Sequence, residues 1–248
     1  MADGVTWRCP AQQCRATTGI RKGSFFEKSH LSLQKALNLL YYWSVEMPAQ
    51  DTQFHVGVDE KTVTDWYNFA HDICSEELIN NPLRIGGAGH TVAIDESVVA
   101  KTKPGNARAR PVPPQWVFGG VDLGTGEFFM ELVPQRDAAT LQPIIQRTIA
   151  PGTRIWSDQW AAYNGLNALG YVHQTVNHTQ HFVDPVTGVH TNNIEARWSA
   201  CKASFKRRFG VARHMLPAYL DEYVWRARTP RHDCFHALVA AICRQYPV

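Results

Sequence analysis

Long apolar runs are missing from this 248-residue sequence. None approaches the roughly 20 residues of a membrane-spanning helix, which predicts a protein without a membrane partner. The first residues also lack the apolar run of a signal peptide, because Asp3, Arg8 and Gln12 interrupt it. The six cysteines are scattered, and only Cys9 and Cys14 lie close together, so no disulfide framework is expected. We therefore expect a reducing intracellular compartment, the nucleus in a eukaryote and otherwise the cytoplasm or nucleoid.

Charged residues are also few, at 19% of the chain against 44% hydrophobic, and this balance predicts a packed core and excludes disorder. The formal net charge of +3 is small but unevenly distributed. Residues 98–121 and 197–220 contain no acid, and their bases are Lys101, Lys103, Arg108, Arg110, Arg197, Lys202, Lys206, Arg207, Arg208 and Arg213. Such basic runs indicate a polyanionic partner, with a solvated charged face as the alternative.

The first predicted region, residues 1–24, carries Cys9 and Cys14. Half of a zinc site is conceivable there, but tetrahedral zinc needs four ligands and no second cysteine pair follows at the spacing of a zinc ribbon. Unpaired structural cysteines are therefore the preferred interpretation of this segment, and zinc binding is the alternative.

The second predicted region, residues 25–88, is helical. Its periodicity predicts a helix over residues 31–43. The pattern of residues 54–78 predicts a turn at Gly57, followed by a helix with Asp59 as its N-cap. This outline is that of a helix-turn-helix, whose second helix enters the major groove of DNA. The predicted inward residues are Val63, Trp66, Tyr67 and Phe69, and the predicted DNA-facing residues are Lys61, Thr62, Thr64 and Asp65. Two helices that only pack together are the commoner alternative.

The third predicted region, residues 89–214, follows a linker at residues 80–90 and alternates strands with helices. Strands are predicted at residues 91–97, 115–121, 127–133, 153–158 and 171–176, and helices at 137–149, 159–169 and 190–209. A three-strand meander followed by alternating helices and strands implies an α/β domain with a mixed sheet and helices on its faces. Residues 215–248 are then a C-terminal helical tail.

Acidic residues lie at the ends of these elements. Asp95 ends the first predicted strand, Asp158 ends the fourth, and Glu195 lies near the start of the last helix. Sites in open α/β sheets collect at strand ends, so Asp95 and Asp158 would meet if the first and fourth strands are neighbours. Converging carboxylates repel one another unless a hard cation such as Mg²⁺ neutralises them. Glu96 should point to the opposite sheet face and is left out of this site. For each acid alone, a turn or cap residue is the alternative.

The helix predicted at residues 190–209 has two stripes. Its apolar stripe consists of Ile194, Trp198, Cys201 and Phe205, and its polar stripe of Asn192, Glu195, Ser199, Lys202 and Lys206. Asn192 and Glu195 also have the spacing of a capping box, and the bases at the helix end suit the negative end of the helix dipole. For the helix considered alone, this structural role is the preferred interpretation.

Three segments resemble transposases of the Merlin superfamily and the related bacterial insertion-sequence (ISXO2-like) transposases: IDES at residues 94–97, SDQWAAY at 157–163 and HTNNIEARW at 190–198. The resemblance extends over nearly the whole chain. It implies a DDE-type enzyme with an RNase H-like catalytic domain. By motif, the catalytic and metal-binding acids are Asp95, Asp158 and Glu195, with Asn192 as the alternative third member.

The resemblance also implies the chemistry and the partners. Such enzymes use two Mg²⁺ or Mn²⁺ ions to hydrolyse DNA at transposon ends and to transfer the freed 3′-hydroxyl into target DNA. The implied partners are double-stranded DNA, as terminal inverted repeats and as target, and further copies of the chain once DNA is bound. The resemblance implies Lys202 as a DNA-positioning residue; the predicted DNA-binding set also includes Lys206, Arg207, Arg208, Arg108 and Arg110 from the basic runs, and Lys61 and Thr62 from the helix-turn-helix outline. A domesticated, catalytically inactive DNA-binding protein and an RNase H-like nuclease are the alternatives.

Overall fold

The computed structural model describes residues 6–100, 113–177, 180, 182–208 and 210–247. Arg108 and Arg110 lie outside the described residues. Two compact units are present, which we call the helical unit (Met1–Asn80 with Trp225–Val248) and the sheet unit (Asn81–Val224). Within the described ranges, no helix is long and apolar enough to cross a membrane. The division of the chain into separate domains with boundaries after residues 24, 88 and 214 remains a prediction.

The elements up to residue 80 and the chain from residue 225 belong to the helical unit, and the chain between them belongs to the sheet unit. The strands are β1 (Thr6–Arg8), β2 (Thr17–Gly19), β3 (Ile85–Gly86), β4 (Thr91–Ala100), β5 (Gln115–Asp122), β6 (Phe128–Val133), β7 (Ile149–Ala150), β8 (Arg154–Ser157) and β9 (Val172–Thr175). The α-helices are α1 (Leu33–Ser44), α2 (Ala49–Val56), α3 (Glu60–Asn80), α4 (Ala138–Thr148), α5 (Asn192–Arg207), α6 (Leu216–Arg228) and α7 (Cys234–Gln245).

In the helical unit, α1, α3 and α7 share one hydrophobic core with the end of α2. The predicted helices over residues 31–43 and after Gly57 are confirmed as α1 and α3, but the sequence did not predict α2, which lies between them and ends at Gly57 with a φ of 64°. The predicted N-cap is also confirmed, since Asp59 Oδ1 accepts a hydrogen bond of 2.7 Å from the Thr62 backbone N–H. Such a cap satisfies one of the free donors at the start of α3.

The predicted inward face of α3 is correct for Val63 and Trp66 but wrong for Phe69, which is 45% exposed. The buried positions of α3 continue with Ala70, Ile73 and Cys74. At about 100° per residue, Phe69 falls on the margin of that stripe, where its ring contacts the edges of Phe25 and Trp66.

The sheet unit is built on a five-stranded sheet with the order β6-β5-β4-β8-β9. The β6–β5 and β5–β4 pairs are antiparallel, whereas β4–β8 and β8–β9 are parallel. An antiparallel meander that continues into parallel strands is the mixed sheet expected from the sequence, so the predicted α/β, RNase H-like fold is confirmed.

Side chains of β4 alternate between the two faces of this sheet. On one face, Val92 and Ile94 join the core that α4 closes with Leu141 and Ile145. On the other face, α5 packs against β4 and β5. Asp95 belongs to the α5 face, and the candidate site is therefore built between β4 and α5.

Three sequence predictions in the sheet unit need correction. β4 continues to Ala100, so Asp95 lies in mid-strand and does not end it. Residues 159–169 form two short 3₁₀ segments, Ala161–Tyr163 and Leu166–Leu169, because Gly165 separates them at a φ of 93°. The predicted linker at residues 80–90 contains β3, which pairs with β7 and buries Ile85. Burial of an apolar residue favours an ordered segment there.

Candidate active site

Asp95 lies in β4, and Asp158 comes directly after the parallel neighbour of β4, the strand β8. In the β4–β8 register, Ala93 is paired with Trp156. Asp95 lies two residues beyond Ala93 and Asp158 two residues beyond Trp156, and the charge of Asp158 acts on Asp95. The first and fourth predicted strands are therefore neighbours, which is the condition for these two acids to meet. Asp158 itself comes directly after the last residue of β8.

Burial and like charge act together on these acids. Burial raises the pKa of Asp95 to about 7, and the negative charges of Glu96 and Asp158 act in the same direction. Burial likewise raises the pKa of Glu96 to about 7, again with a contribution from Asp158. Glu96 follows Asp95 along the strand and so lies on the opposite face, as predicted. The acids form a crowded anionic centre, which is the environment that a divalent cation would relieve.

Trp198 of α5 holds the Asp95 carboxylate. Its indole Nε1–H donates a hydrogen bond of 3.1 Å to Asp95 Oδ2. The indole lies over Gly119, the residue of β5 that is paired with Asp95. A Cβ atom at Gly119 would come within 2.8 Å of Trp198 Cη2 and 2.7 Å of the Phe129 carbonyl oxygen. The absence of a side chain at residue 119 therefore makes room for the ring that orients Asp95.

Lys202 follows Trp198 by one helical turn and reaches the same strand. Its Nζ donates a hydrogen bond of 2.7 Å to the Ser97 hydroxyl, two residues beyond Asp95. Ser97 and Asp95 share a sheet face, so the ammonium group lies on the side of the sheet that carries Asp95. A single cation on the same face as paired carboxylates is suited to binding a phosphate group.

The start of α5 differs from the sequence prediction. The helix begins at Asn192, its N-cap residue is Thr191, and the Thr191 side chain makes no capping hydrogen bond. The predicted capping box of Asn192 and Glu195 is therefore wrong. Thr191 Oγ1 instead donates a hydrogen bond of 2.9 Å to Glu195 Oε1. Both Asn192 and Glu195 are exposed in the first turn of α5.

The three predicted acids do not form a metal cluster in this structure. Among the described residues, no group of three or more His, Cys, Asp or Glu side chains is placed to hold a metal ion. Asp95 and Asp158 are brought together, and Glu195 lies three residues before Trp198 on α5. The donor chemistry suits a hard divalent cation, since the charge of Asp158 acts on Asp95 and burial disfavours the charged form of Asp95.

The predicted DNA-binding residues have different surroundings. Lys206 and Arg207 are exposed in the last turn of α5. Arg208, in contrast, is engaged within the sheet unit: its two guanidinium nitrogens donate to Glu222 at 2.6 and 2.8 Å, and Glu222 is buried. A bidentate ion pair with a buried carboxylate leaves Arg208 poorly suited to bind DNA phosphate, contrary to the prediction. In the helical unit, Lys61 is exposed, and the Thr62 hydroxyl donates to Asp59.

The cysteines of the N-terminal segment flank a hairpin of β1 and β2. Cys9 follows β1, and Cys14 lies in the turn before β2. The pKa of the Cys14 thiol is lowered by a hydrogen bond from the Ala16 backbone and by the neighbouring Cys9. The hairpin thus brings together two of the four ligands that a structural zinc would need, and no third His, Cys, Asp or Glu accompanies them among the described residues.

Sequence reasoning missed Trp198 and Gly119 as parts of the site. Trp198 was assigned to an apolar stripe, and Gly119 to a strand. Sequence patterns carry no signal for the indole hydrogen bond, because it joins residues 103 positions apart. The GG pair at residues 119–120, inside a predicted strand, was the available clue, since glycine in a strand often marks a close approach.

The chain is similar in sequence to known proteins. The family model of the ISXO2-like transposase domain matches residues 87–228. An uncharacterized transposase-like protein of Haemophilus influenzae is 28% identical over 95 residues, which cover 38% of this chain and 76% of that protein.

Several solved structures are similar to the chain at low sequence identity. A chain of the simian T-cell lymphotropic virus intasome in complex with PP2A regulatory subunit B56 gamma is 14% identical, with 80% of this chain and 74% of that chain covered and a TM-score of 0.38. The catalytic core domain of BIV integrase is 12% identical, with 63% of this chain and 82% of that chain covered and a TM-score of 0.32. The HTLV-2 integrase catalytic core domain in complex with magnesium is 9% identical, with 60% of this chain and 97% of that chain covered and a TM-score of 0.35.

Proposed function

The chain belongs to the ISXO2-like transposase family, and on that premise we propose that it is a DDE-type DNA transposase. The proposed activity is metal-dependent hydrolysis at transposon ends, followed by transfer of the 3′-hydroxyl into target DNA. The observation that carries the proposal is the pairing of β4 with β8, because Asp95 lies in β4, Asp158 comes directly after β8, and the charge of Asp158 acts on Asp95. Lys202 lies on the same face through its hydrogen bond to Ser97. Phosphoryl transfer requires such positioned charges on both sides of the reacting phosphate.

Asp95 and Asp158 would hold the metal ions, with Glu195, or Asn192 in its place, as the third ligand. The crowding that raises the pKa of Asp95 supports this assignment, because a divalent cation would offset the repulsion between the carboxylates. When bound, two Mg²⁺ or Mn²⁺ ions would neutralise the phosphoryl charge and stabilise the attacking and leaving oxygens. Trp198 would keep Asp95 in a fixed orientation for this role, as outer-shell hydrogen bonds commonly do.

The proposed chemistry has two phosphoryl-transfer steps. In the first, the oxygen of water forms a bond to phosphorus and the bond from phosphorus to the 3′-oxygen breaks, which releases a 3′-hydroxyl and a 5′-phosphate. In the second, the oxygen of that 3′-hydroxyl forms a bond to a phosphorus of target DNA, the bond from this phosphorus to the target 3′-oxygen breaks, and a 3′-hydroxyl of the target strand is released with the proton. Neither step needs a covalent protein intermediate. Lys202 would bind a non-bridging oxygen of the phosphate and keep it next to Asp95.

Double-stranded DNA, as terminal inverted repeats and as target, is the proposed partner. Lys202, Lys206 and Arg207 would contact phosphates from α5, and Arg108 and Arg110 would add charge from the basic segment that precedes β5. In the helical unit, the exposed Lys61 and the neighbouring Thr62 would contact the terminal repeats from the start of α3. We also propose assembly into at least a dimer on DNA, because two transposon ends must be joined together. Affinity that arises from phosphate contacts falls steeply with salt.

One assay distinguishes the three classes of function. Purified protein is incubated with labelled terminal-repeat DNA, a plasmid target and Mg²⁺ or Mn²⁺. Joined products that disappear in Asp158→Ala support the transposase. Retention on the repeats without cleavage would identify a DNA-binding protein that has lost catalysis. Cleavage without joining would identify a nuclease.

The third ligand is tested by comparing Glu195→Gln with Asn192→Ala in the same assay. Glu195→Gln removes a charge but keeps the shape of the side chain, so a metal ligand at this position loses most of its activity. Full activity in Glu195→Gln, together with loss in Asn192→Ala, would assign the third ligand to Asn192. Glu195→Gln also alters the partner of Thr191, so the unfolding transition of each variant is measured alongside.

A further inference from the structure

A cation lies between two indole rings next to Asp158. The guanidinium carbon of Arg136 is 3.9 Å from the ring centroid of Trp116 and 4.5 Å from that of Trp160. Trp116 comes from β5, and Arg136 precedes α4. We call these three residues the Trp–Arg–Trp stack. Arginine planes stack favourably on aromatic faces, and the same kind of surface stacks on nucleobases.

The stack is fixed to the catalytic acid. The backbone N–H of Trp160 donates a hydrogen bond of 2.9 Å to Asp158 Oδ1. At the other end of the residue, the indole Nε1–H donates a hydrogen bond of 2.7 Å to the Arg136 carbonyl oxygen. Trp160 therefore cannot change its orientation without disturbing either Asp158 or the chain before α4. A ring held in this way loses little conformational freedom when a ligand stacks on it.

Part of the stack is open to a ligand. Trp160 is 39% exposed, although one face of its ring lies on the Arg136 guanidinium. The guanidinium itself is partly exposed, and no hydrogen bond or ion pair occupies its N–H donors within the described part of the chain. An open indole face and a partly exposed guanidinium thus lie together beside Asp158.

We propose that the Trp–Arg–Trp stack is a nucleotide-binding subsite, in which Trp160 stacks on an unpaired base of the DNA end and Arg136 donates to that nucleotide's phosphate. The inference rests on the proposed function, because it places the nucleotide next to the phosphodiester that Asp158 serves. Stacking on an aromatic ring tolerates any base. The subsite would therefore distinguish unpaired from paired nucleotides, and it would discriminate little between base sequences.

The experiment uses the full chain in EDTA, where binding is observed without cleavage. The probe is a duplex with an unpaired 3′-terminal overhang that contains 2-aminopurine, and the fully paired duplex serves as its comparison. We expect the wild-type protein to quench the overhang fluorescence. We expect Trp160→Leu to lose the quenching and to bind the overhang duplex about 5- to 150-fold more weakly, the range found when one aromatic stacking partner is removed.

Two further variants separate stacking from a loss of folding. Trp160→Phe keeps an aromatic face and should retain most of the quenching. Arg136→Gln should weaken binding. It should also reduce the slope of log affinity against log salt concentration by about 1, the change expected for the loss of one phosphate contact. Trp7→Leu, which removes an exposed indole in the helical unit, is the matched control and should bind like the wild type.

Equal quenching and equal affinity for wild type and Trp160→Leu would overturn the subsite. An equal loss in Trp7→Leu would also overturn it, because the effect would then belong to indole removal in general. Failure of the wild type to bind either duplex would count against the proposed function itself. The two failures are therefore distinguishable in one experiment.

Discussion

The Trp198 indole donates a hydrogen bond of 3.1 Å to Asp95 Oδ2, and the indole occupies the space above the cross-strand neighbour of Asp95, Gly119. This contact links α5 directly to the acid at the centre of the sheet. Because Lys202 lies one turn further along the same helix, one element both orients an acid and presents a cation. The position of α5 thus determines where the Lys202 ammonium lies relative to the Asp95 carboxylate.

Trp198→Phe removes the N–H donor and keeps an aromatic ring. We expect DNA cleavage to fall about 10- to 100-fold, as is usual when a group that orients a metal ligand is lost. The Mg²⁺ concentration needed for half-maximal activity should rise, which a loss of packing alone would not cause. Trp156→Phe is the control, since the Trp156 indole donates to Gln174 and not to an acid. An unchanged Mg²⁺ dependence in Trp198→Phe would contradict the positioning role.

Gly119→Ala introduces a Cβ atom that would lie 2.7 Å from the Phe129 carbonyl oxygen and 2.8 Å from Trp198 Cη2. Since both neighbours are part of the packed sheet and its helix, we expect the free energy of unfolding to fall by about 1–3 kcal/mol. Urea unfolding measures the change. Gly124→Ala, whose added Cβ would meet no atom closer than 3.3 Å, is the control and should change stability less. Equal effects of the two substitutions would count against the close approach.

Glu96→Gln tests the electrostatics of the acid centre in metal-free protein. Burial raises the pKa of Glu96 from 4.5 to about 7. The folded state therefore holds the proton more tightly, so the stability that Glu96 contributes is present below pH 4.5 and is lost as the pH rises through 7. The shift corresponds to at most about 3 kcal/mol. In EDTA, the free energy of unfolding of the wild type should fall between pH 4.5 and pH 7. The free energy of unfolding of Glu96→Gln should fall less over the same range.

The remaining slope in Glu96→Gln should come largely from Asp95, whose pKa is also raised to about 7. Glu127→Gln, at the turn between β5 and β6, is the control and should keep the wild-type pH dependence. A Glu96→Gln profile identical to that of the wild type in urea unfolding at several pH values would refute the prediction.

Arg208→Ala should destabilise the sheet unit, because it leaves Glu222 buried without its bidentate partner. The expected loss is about 3–5 kcal/mol in urea unfolding, whereas Arg208→Met combined with Glu222→Leu should lose much less. Lys206→Ala, two residues earlier and exposed, should leave stability within about 0.5 kcal/mol and weaken DNA binding. A stable Arg208→Ala variant that had lost DNA affinity would restore Arg208 to the DNA-binding surface.

Much of the sheet unit was predictable from local patterns. Alternation of apolar residues located β4, β5 and β6, and the order of elements implied a mixed sheet. The proximity of Asp95 and Asp158 also followed from the pairing of β4 with β8, since Asp95 lies in β4 and Asp158 comes directly after β8. The cap at Asp59 was predictable since a capping side chain acts over only three residues.

The errors involve long-range contacts or competing local preferences. The Arg208–Glu222 pair joins a helix end to a later helix, and nothing in either segment announces the partner. The helix predicted over residues 159–169 is broken because Gly165 adopts a left-handed conformation. The Trp198–Asp95 bond was hidden since tryptophan in an apolar stripe is typical of a hydrophobic core, whereas its N–H can serve a buried acid.

The most direct test of the account is DNA cleavage in Mg²⁺ by Asp95→Asn, Asp158→Asn and the double variant, with folding and DNA binding measured in parallel. If both acids act as a unit at one phosphodiester, each single variant should lose as much cleavage as the double variant, since such effects are not additive. All three should still bind DNA. Cleavage that persists in either single variant, or losses that add up in the double variant, would contradict a shared site built from Asp95 and Asp158.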